Sequence, residues 1–254
     1  MKKILIIMLT IMPLIALTAC LHQSTNRTAL PIGDLAFSVT RSAEEVYIKE
    51  NDKFVPFLVL DNNYSGNCLL LRRDTLNDEV AYNTHGQYGS YYPNSGTDDF
   101  LNGTYFERIS ASVKQVIAES NIAVTSKQAL DSAENTTETI TRKVFLLSAH
   151  EVHAQTGTNS LKEGKELIYF RSLSNRVACN ENGQPETWAL RTPSLTAANM
   201  IYSIAFDGSI GSGGIYGTEG ERAIPLRPAF AVYAQTIIKK QSNAVQGKEV
   251  YVLN

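Results

Sequence analysis

Short apolar runs separated by turn-forming residues are the feature that most constrains the fold of this chain. "FVPFLVLD" (54–61) and "NCLLLRRD" (67–74) flank the turn-forming stretch "NNYSG", which is typical of a β-hairpin. Further strand-like runs are "NIAVTS" (121–126), "KVFLLS" (143–148), "TWALRTP" (187–193), "MIYSIAFDGSI" (200–210) and "IPLRPAFAVYAQ" (224–235). The Asp-Gly in the fourth of these suits a strand that runs into a turn. The sequence therefore predicts several antiparallel strands.

Helical periodicity is confined to a short part of the chain. Ile109, Val113, Val116 and Ile117 recur at helical spacing, which predicts one face of a helix from about Tyr105 to Glu119. Residues 82–106 have the composition of a long loop, and the polar stretches 127–141 and 155–186 have that of exposed connections. The expected fold class is α+β, a twisted antiparallel sheet with about two helices and long loops.

The N-terminus has the order of parts found in a lipoprotein signal. Lys2 and Lys3 precede the apolar stretch 4–17, which is too short for a permanent membrane span, and small residues then precede Cys20. The sequence predicts a signal peptide at 1–19, a tether lipidated at Cys20 over 20–33 and a single globular domain over 34–254. An uncleaved anchor and an ordinary secretory signal are the alternatives. The expected location is the bacterial cell envelope, and neither membrane is favoured.

Charge and cysteine content limit the partners of the mature chain. A formal net charge of −2 gives no reason to expect nucleic acid or an anionic membrane face as a partner. Cys68 and Cys179 could form a disulfide outside the cytoplasm, but free thiols are favoured. Without a C-x-x-C pair, no thiol-rich zinc site is implied, and no cofactor is expected.

The segment "SAHEVH" (148–153) resembles a zinc-protease motif but has the wrong spacing. Zinc proteases place two histidines at i and i+4, whereas His150 and His153 are three apart, and no third ligand is singled out. Ser148 and Glu151 instead fit a capping box, in which each side chain bonds the backbone amide of the other. We therefore expect a helix to begin here and no metal to bind.

The aromatic loop before the predicted helix is the best candidate for a binding site. Aromatic faces beside carboxylates and amides are common in sugar and peptide sites. The candidate ligand-binding residues are Tyr88, Tyr91, Tyr92, Asp98, Asp99 and Asn102. The alternative is that Tyr92, Phe100, Leu101 and Phe106 simply pack this loop on the core. Nucleophilic catalysis has less support, because the chain lacks a G-x-S-x-G elbow and no spacing links its Ser, His and Asp residues.

Four short stretches also carry a family resemblance. "VFLLS" (144–148) with Glu151, Leu101-Asn102, "WALRTP" (188–193) and "LRPA" (226–229) resemble the bacterial domain of unknown function 6273 family over about residues 54–233. The motif residues expected to be structural are Leu101, Asn102, Phe145, Ser148, Glu151, Trp188, Arg191, Pro193, Arg227 and Pro228. The resemblance implies extracytoplasmic proteins, and by analogy a C-type-lectin-like fold. We expect Arg191 and Arg227 to pair with carboxylates such as Asp207 or Glu221.

These patterns favour a lipid-anchored, non-enzymatic domain that binds a glycan, a peptide or a protein. An extracytoplasmic hydrolase or modifying enzyme is the alternative, with Asp98, Asp99, His85 or the pair His150 and His153 in its site. A structural envelope protein is a third possibility. A concave cluster of His85, Asp98 and His153 would favour the enzyme, whereas scattered histidines beside exposed tyrosines would favour binding.

Overall fold

The structure is a computed structural model that describes residues 28–83, 89–132, 134–197, 199–214, 223–245 and 247–254. The predicted signal peptide, Cys20, His85, Tyr88 and Glu221 lie outside the described residues. Within the described ranges, no helix is both long and apolar enough to cross a membrane.

One large sheet organises the molecule. Eight strands follow one another in the order β1-β15-β16-β2-β3-β4-β14-β5, and β8 also pairs with β14. The pairs are antiparallel except for β16 with β2, which is parallel. The strands of this sheet are β1 (Ala29–Pro31), β2 (Glu45–Glu50), β3 (Lys53–Tyr64), β4 (Asn67–Arg72), β5 (Ile117–Ala118), β8 (Val144–Phe145), β14 (Ala229–Val232), β15 (Ile237–Val245) and β16 (Lys248–Leu253). The expected antiparallel sheet is confirmed, and a sheet-rich fold with few, short helices is compatible with the α+β class.

Three smaller sheets and a few short helices make up the rest of the secondary structure in the described residues. The smaller sheets are β6 (Ser120–Thr125) with β7 (Thr137–Arg142), β9 (Ala178–Cys179) with β10 (Pro185–Glu186), and β11 (Trp188–Pro193), β12 (Met200–Ile204) and β13 (Ile210–Gly214). The α-helices are α1 (Gly96–Phe100), α2 (Phe106–Arg108), α3 (Ala111–Lys114) and α4 (Lys127–Ser132), and the π-helical segment Leu101–Tyr105 joins α1 to α2. Short 3-10 helices span Ile32–Leu35, Ile168–Arg171 and Leu173–Asn175.

The predicted hairpin at residues 54–74 is confirmed as β3 and β4. Its turn residues Ser65 and Gly66 both have positive φ, 50° and 84°, which is the conformation of a type I′ turn. The "MIYSIAFDGSI" run likewise forms β12, a turn with Gly208 at φ 83°, and the start of β13.

The core lies against the central strands of the large sheet. Leu69, Leu70 and Leu71 of β4 are fully buried, as is every residue of β14, because both faces of these strands are covered. Cys68 is buried beside them and Cys179 is partly exposed, and both are free thiols, as the sequence favoured. Burial raises the pKa of the Cys68 thiol to about 12, so it is an unreactive core residue.

Three predicted boundaries are wrong. The helix expected over 105–119 begins at Gly96 and ends at Arg108, where Ile109 turns to an extended conformation. The predicted apolar positions Ile109, Val113 and Ile117 are still buried. They lie directly after α2, in α3 and in β5, and not on one helix. The stretch 127–141, predicted to be a connection, forms α4 and most of β7. Residues 29–33, which the sequence places in the tether, are already part of the fold as β1 and the start of a 3-10 helix.

Candidate functional site

A polar cleft lies where the helix α1–α2 meets the end of β7. Its volume is about 410 Å³, within the range of about 300 to 1,000 Å³ usual for small-ligand sites. The cleft is lined by Asn94, Asp98, Asp99, Asn102, Phe106, Glu119, Thr141, Arg142 and Lys143. It therefore brings together three of the predicted binding residues, Asp98, Asp99 and Asn102.

Asp98 forms the base of this cleft. Ser95 is the N-cap of α1, and its Oγ accepts a hydrogen bond from the Asp98 amide at 3.2 Å. The Asp98 carboxylate is 2 % exposed and binds the Arg142 guanidinium through Nε at 2.8 Å and Nη2 at 2.7 Å. It also accepts from the amide of Asn94. The hydrogen bond to Asp98 raises the pKa of Arg142, so the guanidinium stays charged over the physiological pH range.

Asn102 fixes the same helix to the large sheet. Its Nδ2 donates to the carbonyl of Asp98 at 3.1 Å and to the carbonyl of Val144 at 3.0 Å. Its Oδ1 accepts from the amide of Val144 at 3.2 Å. Both ends of the amide are therefore used, and the helix cannot move away from β8 without breaking these bonds.

The rim of the cleft carries exposed polar groups of both kinds. Asp99 and Glu119 present carboxylates, Asn94 can both donate and accept hydrogen bonds, and Thr141, whose hydroxyl donates to Asn121 Oδ1, can accept them. Lys143 is exposed, with its Nζ 5.2 Å from the centroid of the Phe106 ring. Fixed groups thus form the base, and groups open to solvent form the rim.

The predicted binding residues Tyr91 and Tyr92 do not line the cleft. Tyr92 is 1 % exposed, and its hydroxyl accepts from the amide of Leu146, so it packs in the core. Burial raises its pKa well above the ordinary value. Tyr91 is partly exposed and donates to Glu138. Tyr88 lies outside the described residues.

The predicted capping box forms, but it begins a single turn and not a helix. The Ser148 amide donates to Glu151 Oε2 at 2.9 Å, and the Glu151 amide donates to Ser148 Oγ at 3.0 Å. One helical hydrogen bond follows, from the amide of Val152 to the carbonyl of Ser148. The backbone then turns left-handed at His153, where φ is 56°, and the helix expected here stops.

Glu151 is also the centre of a buried ion pair. Arg191 donates to it from Nη1 at 2.7 Å and Nη2 at 3.0 Å, and the Tyr64 hydroxyl donates at 2.6 Å. Burial alone would lower the pKa of Arg191, but attraction to Glu151 raises it above its ordinary value. The expected pairing of Arg191 with Asp207 is therefore wrong, because Asp207 is exposed and bonds Ser209.

Arg227 has a different environment from the ion pair that the sequence predicts. Its guanidinium lies 5.0 Å from the centroid of the Trp188 ring, and its Nε donates to the carbonyl of Arg72. Burial lowers its pKa to about 10. Of the two predicted partners, Asp207 is not in contact and Glu221 lies outside the described residues. These contacts agree with a structural role for Trp188 and Arg227.

His150 lines a second cleft with Glu166, and His153 approaches the same carboxylate. The distances to the Glu166 carboxylate are 3.9 Å from His150 Nδ1 and 3.3 Å from His153 Nδ1. Across the described ranges of the chain, no group of three or more His, Cys, Asp or Glu side chains has an arrangement that could hold a metal ion. Asp98 lies in the other cleft and His85 outside the described residues, so the cluster expected of an enzyme is not seen in the part described.

Sequence reasoning missed Glu119, Thr141, Arg142 and Lys143. These residues lie in or next to stretches interpreted as a helix, a connection and a strand, with no motif around them. Arg142 binds a carboxylate 44 residues before it, and no local spacing could reveal that contact. The available signal was the position of Arg142, a basic residue at the end of a polar stretch with alternating residue types.

Comparison with known proteins identifies the family alone. A family model described as "Domain of unknown function (DUF6273)" matches residues 65–234, about two thirds of the chain. No curated protein and no solved structure matches the sequence.

Proposed function

The chain belongs to the DUF6273 family, and from that premise we propose that it is a lipid-anchored, non-enzymatic domain that binds a glycan at the bacterial cell surface. The cleft at Asp98 is the site in this proposal. A C-type-lectin-like fold is part of the same proposal, and an experimental structure superposed on such domains tests it.

One observation carries the assignment to binding: the cleft combines a fixed base with a rim that is open to solvent. Asp98, Arg142 and Asn102 are held by one another and by backbone groups, so they shape the site without needing a ligand. Because the base is already held, its side chains lose little further conformational freedom when a ligand binds. This arrangement suits recognition.

The chemistry of the rim favours a polyhydroxylated ligand. A sugar hydroxyl both donates and accepts hydrogen bonds, and the rim offers the acceptors Asp99 and Glu119 together with the donor Lys143. Asn94 can serve either role, and Thr141 can accept while its hydroxyl donates to Asn121. The carboxylates of rim and base exceed the cations by one, which disfavours a strongly anionic ligand.

The arrangement of the buried carboxylates supports binding over catalysis. Glu50, Asp98, Glu151 and Glu163 each receive hydrogen bonds from protein donors. A general acid or base must instead exchange its proton with a bound substrate. None of these four is positioned to do so without first losing a partner within the protein.

A glycan array tests the proposed site. The mature chain from residue 20, with Cys20→Ser to prevent lipidation, should bind a defined set of glycans. The variant Asp99→Ala/Glu119→Ala should weaken that binding by about tenfold or more, because each hydrogen bond to a charged group contributes about 1.5 to 3 kcal/mol. Glu107→Ala, on the same helical segment but outside the cleft, is the matched control and should bind as the parent does.

Two outcomes would contradict the glycan assignment. An array without hits, together with a reproducible protein partner in a pull-down, would replace the glycan with a protein ligand. Equal binding by the parent and the double variant would remove the cleft as the site. Lipidation is tested separately, by incorporation of a clickable fatty acid into the full chain and its loss in Cys20→Ala.

A further inference from the structure

The outer face of the five strands β1, β15, β16, β2 and β3 has an unusual composition. Pairing aligns Ala29, Lys239, Val252, Tyr47 and Pro56 in one row across these strands. The row beside it, Leu30, Ile238, Leu253, Ile48 and Val55, faces the core. Since side chains alternate along a strand, the first row belongs to the opposite, outer face.

This outer face combines lysines with apolar and aromatic side chains. By the same alternation it includes Lys49 and Lys248 in addition to Lys239, and all three are at least partly exposed. Among them lie Ile237, which is 53 % exposed, and the partly exposed Tyr47, Phe54 and Val250. Val252, in the middle of the row, is buried. An outer sheet face open only to water would normally carry mainly polar residues.

The face is also basic. The pairing places two acidic residues on it, Glu45 and Asp61, and these form ion pairs with Arg73 at 3.1 Å and with Lys165 at 2.5 Å. Lys49 lies with its Nζ 5.2 Å from the centroid of Phe54, so its stem covers an aromatic ring while its charge stays at the surface. This combination suits the boundary between phospholipid headgroups and acyl chains.

The chain leading to Cys20 emerges beside this face. The Lys240 amide donates to the carbonyl of Thr28 at 2.8 Å, and Ala29 lies directly opposite Lys239. Thr28 is eight positions after Cys20, and a fully extended chain of eight steps spans at most about 28 Å. A lipid on Cys20 would therefore hold β1 close to the membrane.

We propose that this face, defined by Lys49, Lys239, Lys248, Tyr47, Phe54 and Ile237, docks on the anionic phospholipid surface to which the protein is anchored. The inference rests on the lipidation of Cys20 proposed above. Each lysine brought to an anionic bilayer increases partitioning by about fivefold. The chain from Cys20 lacks Lys2 and Lys3, so its formal charge is −4 where the whole sequence has −2, and docking depends on the lysines gathered on this one face.

Docking in this way leaves the polar cleft accessible. Glu119 of the cleft directly follows β5, which is three strand steps from β3, the strand of this face nearest to it in the sheet. At about 4.8 Å per step, that distance is about 14 Å. Because a sheet twists by about 20° to 25° per strand, its far end also turns away from the membrane plane.

Vesicle sedimentation tests the face independently of the anchor. The mature chain with Cys20→Ser should bind vesicles of phosphatidylcholine with 30 % phosphatidylglycerol, bind pure phosphatidylcholine weakly, and dissociate at high salt. The variant Lys49→Gln/Lys239→Gln/Lys248→Gln should reduce partitioning by about a hundredfold, from three factors of about five. The control Lys114→Gln/Lys127→Gln/Lys162→Gln removes the same charge elsewhere and should bind as the parent does.

Chemical modification of lysines on the lipidated protein tests the face even if the chain without its lipid binds vesicles weakly. On anionic vesicles, an amine-reactive acylating reagent should modify Lys49, Lys239 and Lys248 of the lipidated chain more slowly than Lys162. The modification rates are measured by mass spectrometry. Equal rates on anionic and neutral vesicles, or equal loss of binding in both triple variants, would overturn the proposal. If the full chain incorporates no fatty acid, the proposed anchor at Cys20 is wrong. Sedimentation of the unlipidated chain with vesicles then still tests the docking face by itself.

Discussion

Glu151 and Arg191 form a bidentate ion pair in which neither side chain has measurable exposure to solvent. A buried pair of this kind adds little net stability when intact, yet breaking it leaves an unpaired charge in a medium of low polarity. Because Glu151 also joins the turn at Ser148 to Tyr64 of β3, its loss would affect three parts of the fold.

We predict that Arg191→Met lowers the free energy of unfolding by about 3 to 5 kcal/mol, measured by urea denaturation. Glu151→Met/Arg191→Met should lose less than the sum of the two single variants, since the double variant leaves no unpaired charge. Lys114→Met breaks an exposed pair with Glu107 and should cost at most about 1 kcal/mol. Additive losses in the buried pair would contradict the coupling.

At this scale the sequence predicts what is local. Ser148 and Glu151 are three positions apart, and the spacing alone predicted their mutual hydrogen bonds. Arg191 lies 40 residues from Glu151, so the sequence indicated that the arginine was structural but named the wrong partner. The same holds for the cleft: the sequence predicted Asp98 and Asn102, which are close together in the chain, and missed the distant Arg142.

At the scale of elements, strands were easier to predict than helices. The hairpin β3–β4 and the strands β6, β11 and β12 follow from apolar runs bounded by turn residues, which are local signals. The helix was misplaced because its predicted face, Ile109 to Ile117, is buried by short elements that turn to follow the core. The spacing of apolar residues correctly predicts which positions are buried, but tertiary packing decides where the helix ends.

The loop over Glu151 gives a prediction at this scale. Gly164 has φ +81°, and a Cβ there would lie 2.5 Å from Glu151 Oε1. Gly183 has a similar φ of +76°, and a Cβ added there would meet nothing within 4 Å. Gly183→Ala should therefore cost only the strain of left-handed backbone, about 1 to 2 kcal/mol, whereas Gly164→Ala should cost clearly more. Equal shifts of the urea midpoint would show that the loop at Gly164 relaxes freely.

At the scale of the whole molecule, the family match and the folded unit do not coincide. The match begins at Ser65, in the turn between β3 and β4, and ends at Ala234, just after β14. The five strands outside it, β1, β15, β16, β2 and β3, are contiguous in the sheet. The proposed membrane face lies on these strands, and the polar cleft lies within the matched region. The sequence alone could not reveal this division, since β16 from the end of the chain inserts between β15 and β2.

We predict that residues 65–234 do not fold when expressed alone. Removing β3 would expose one edge of β4, whose residues Cys68 to Leu71 are fully buried, and would uncover apolar side chains of the core that pack against Phe57 and Val59. Residues 28–254 keep every strand and should unfold cooperatively in urea with a strong near-ultraviolet circular dichroism signal. The shorter fragment should lack both. Cooperative unfolding of residues 65–234 would mean that the matched region is a domain by itself, with the five remaining strands added to its edge.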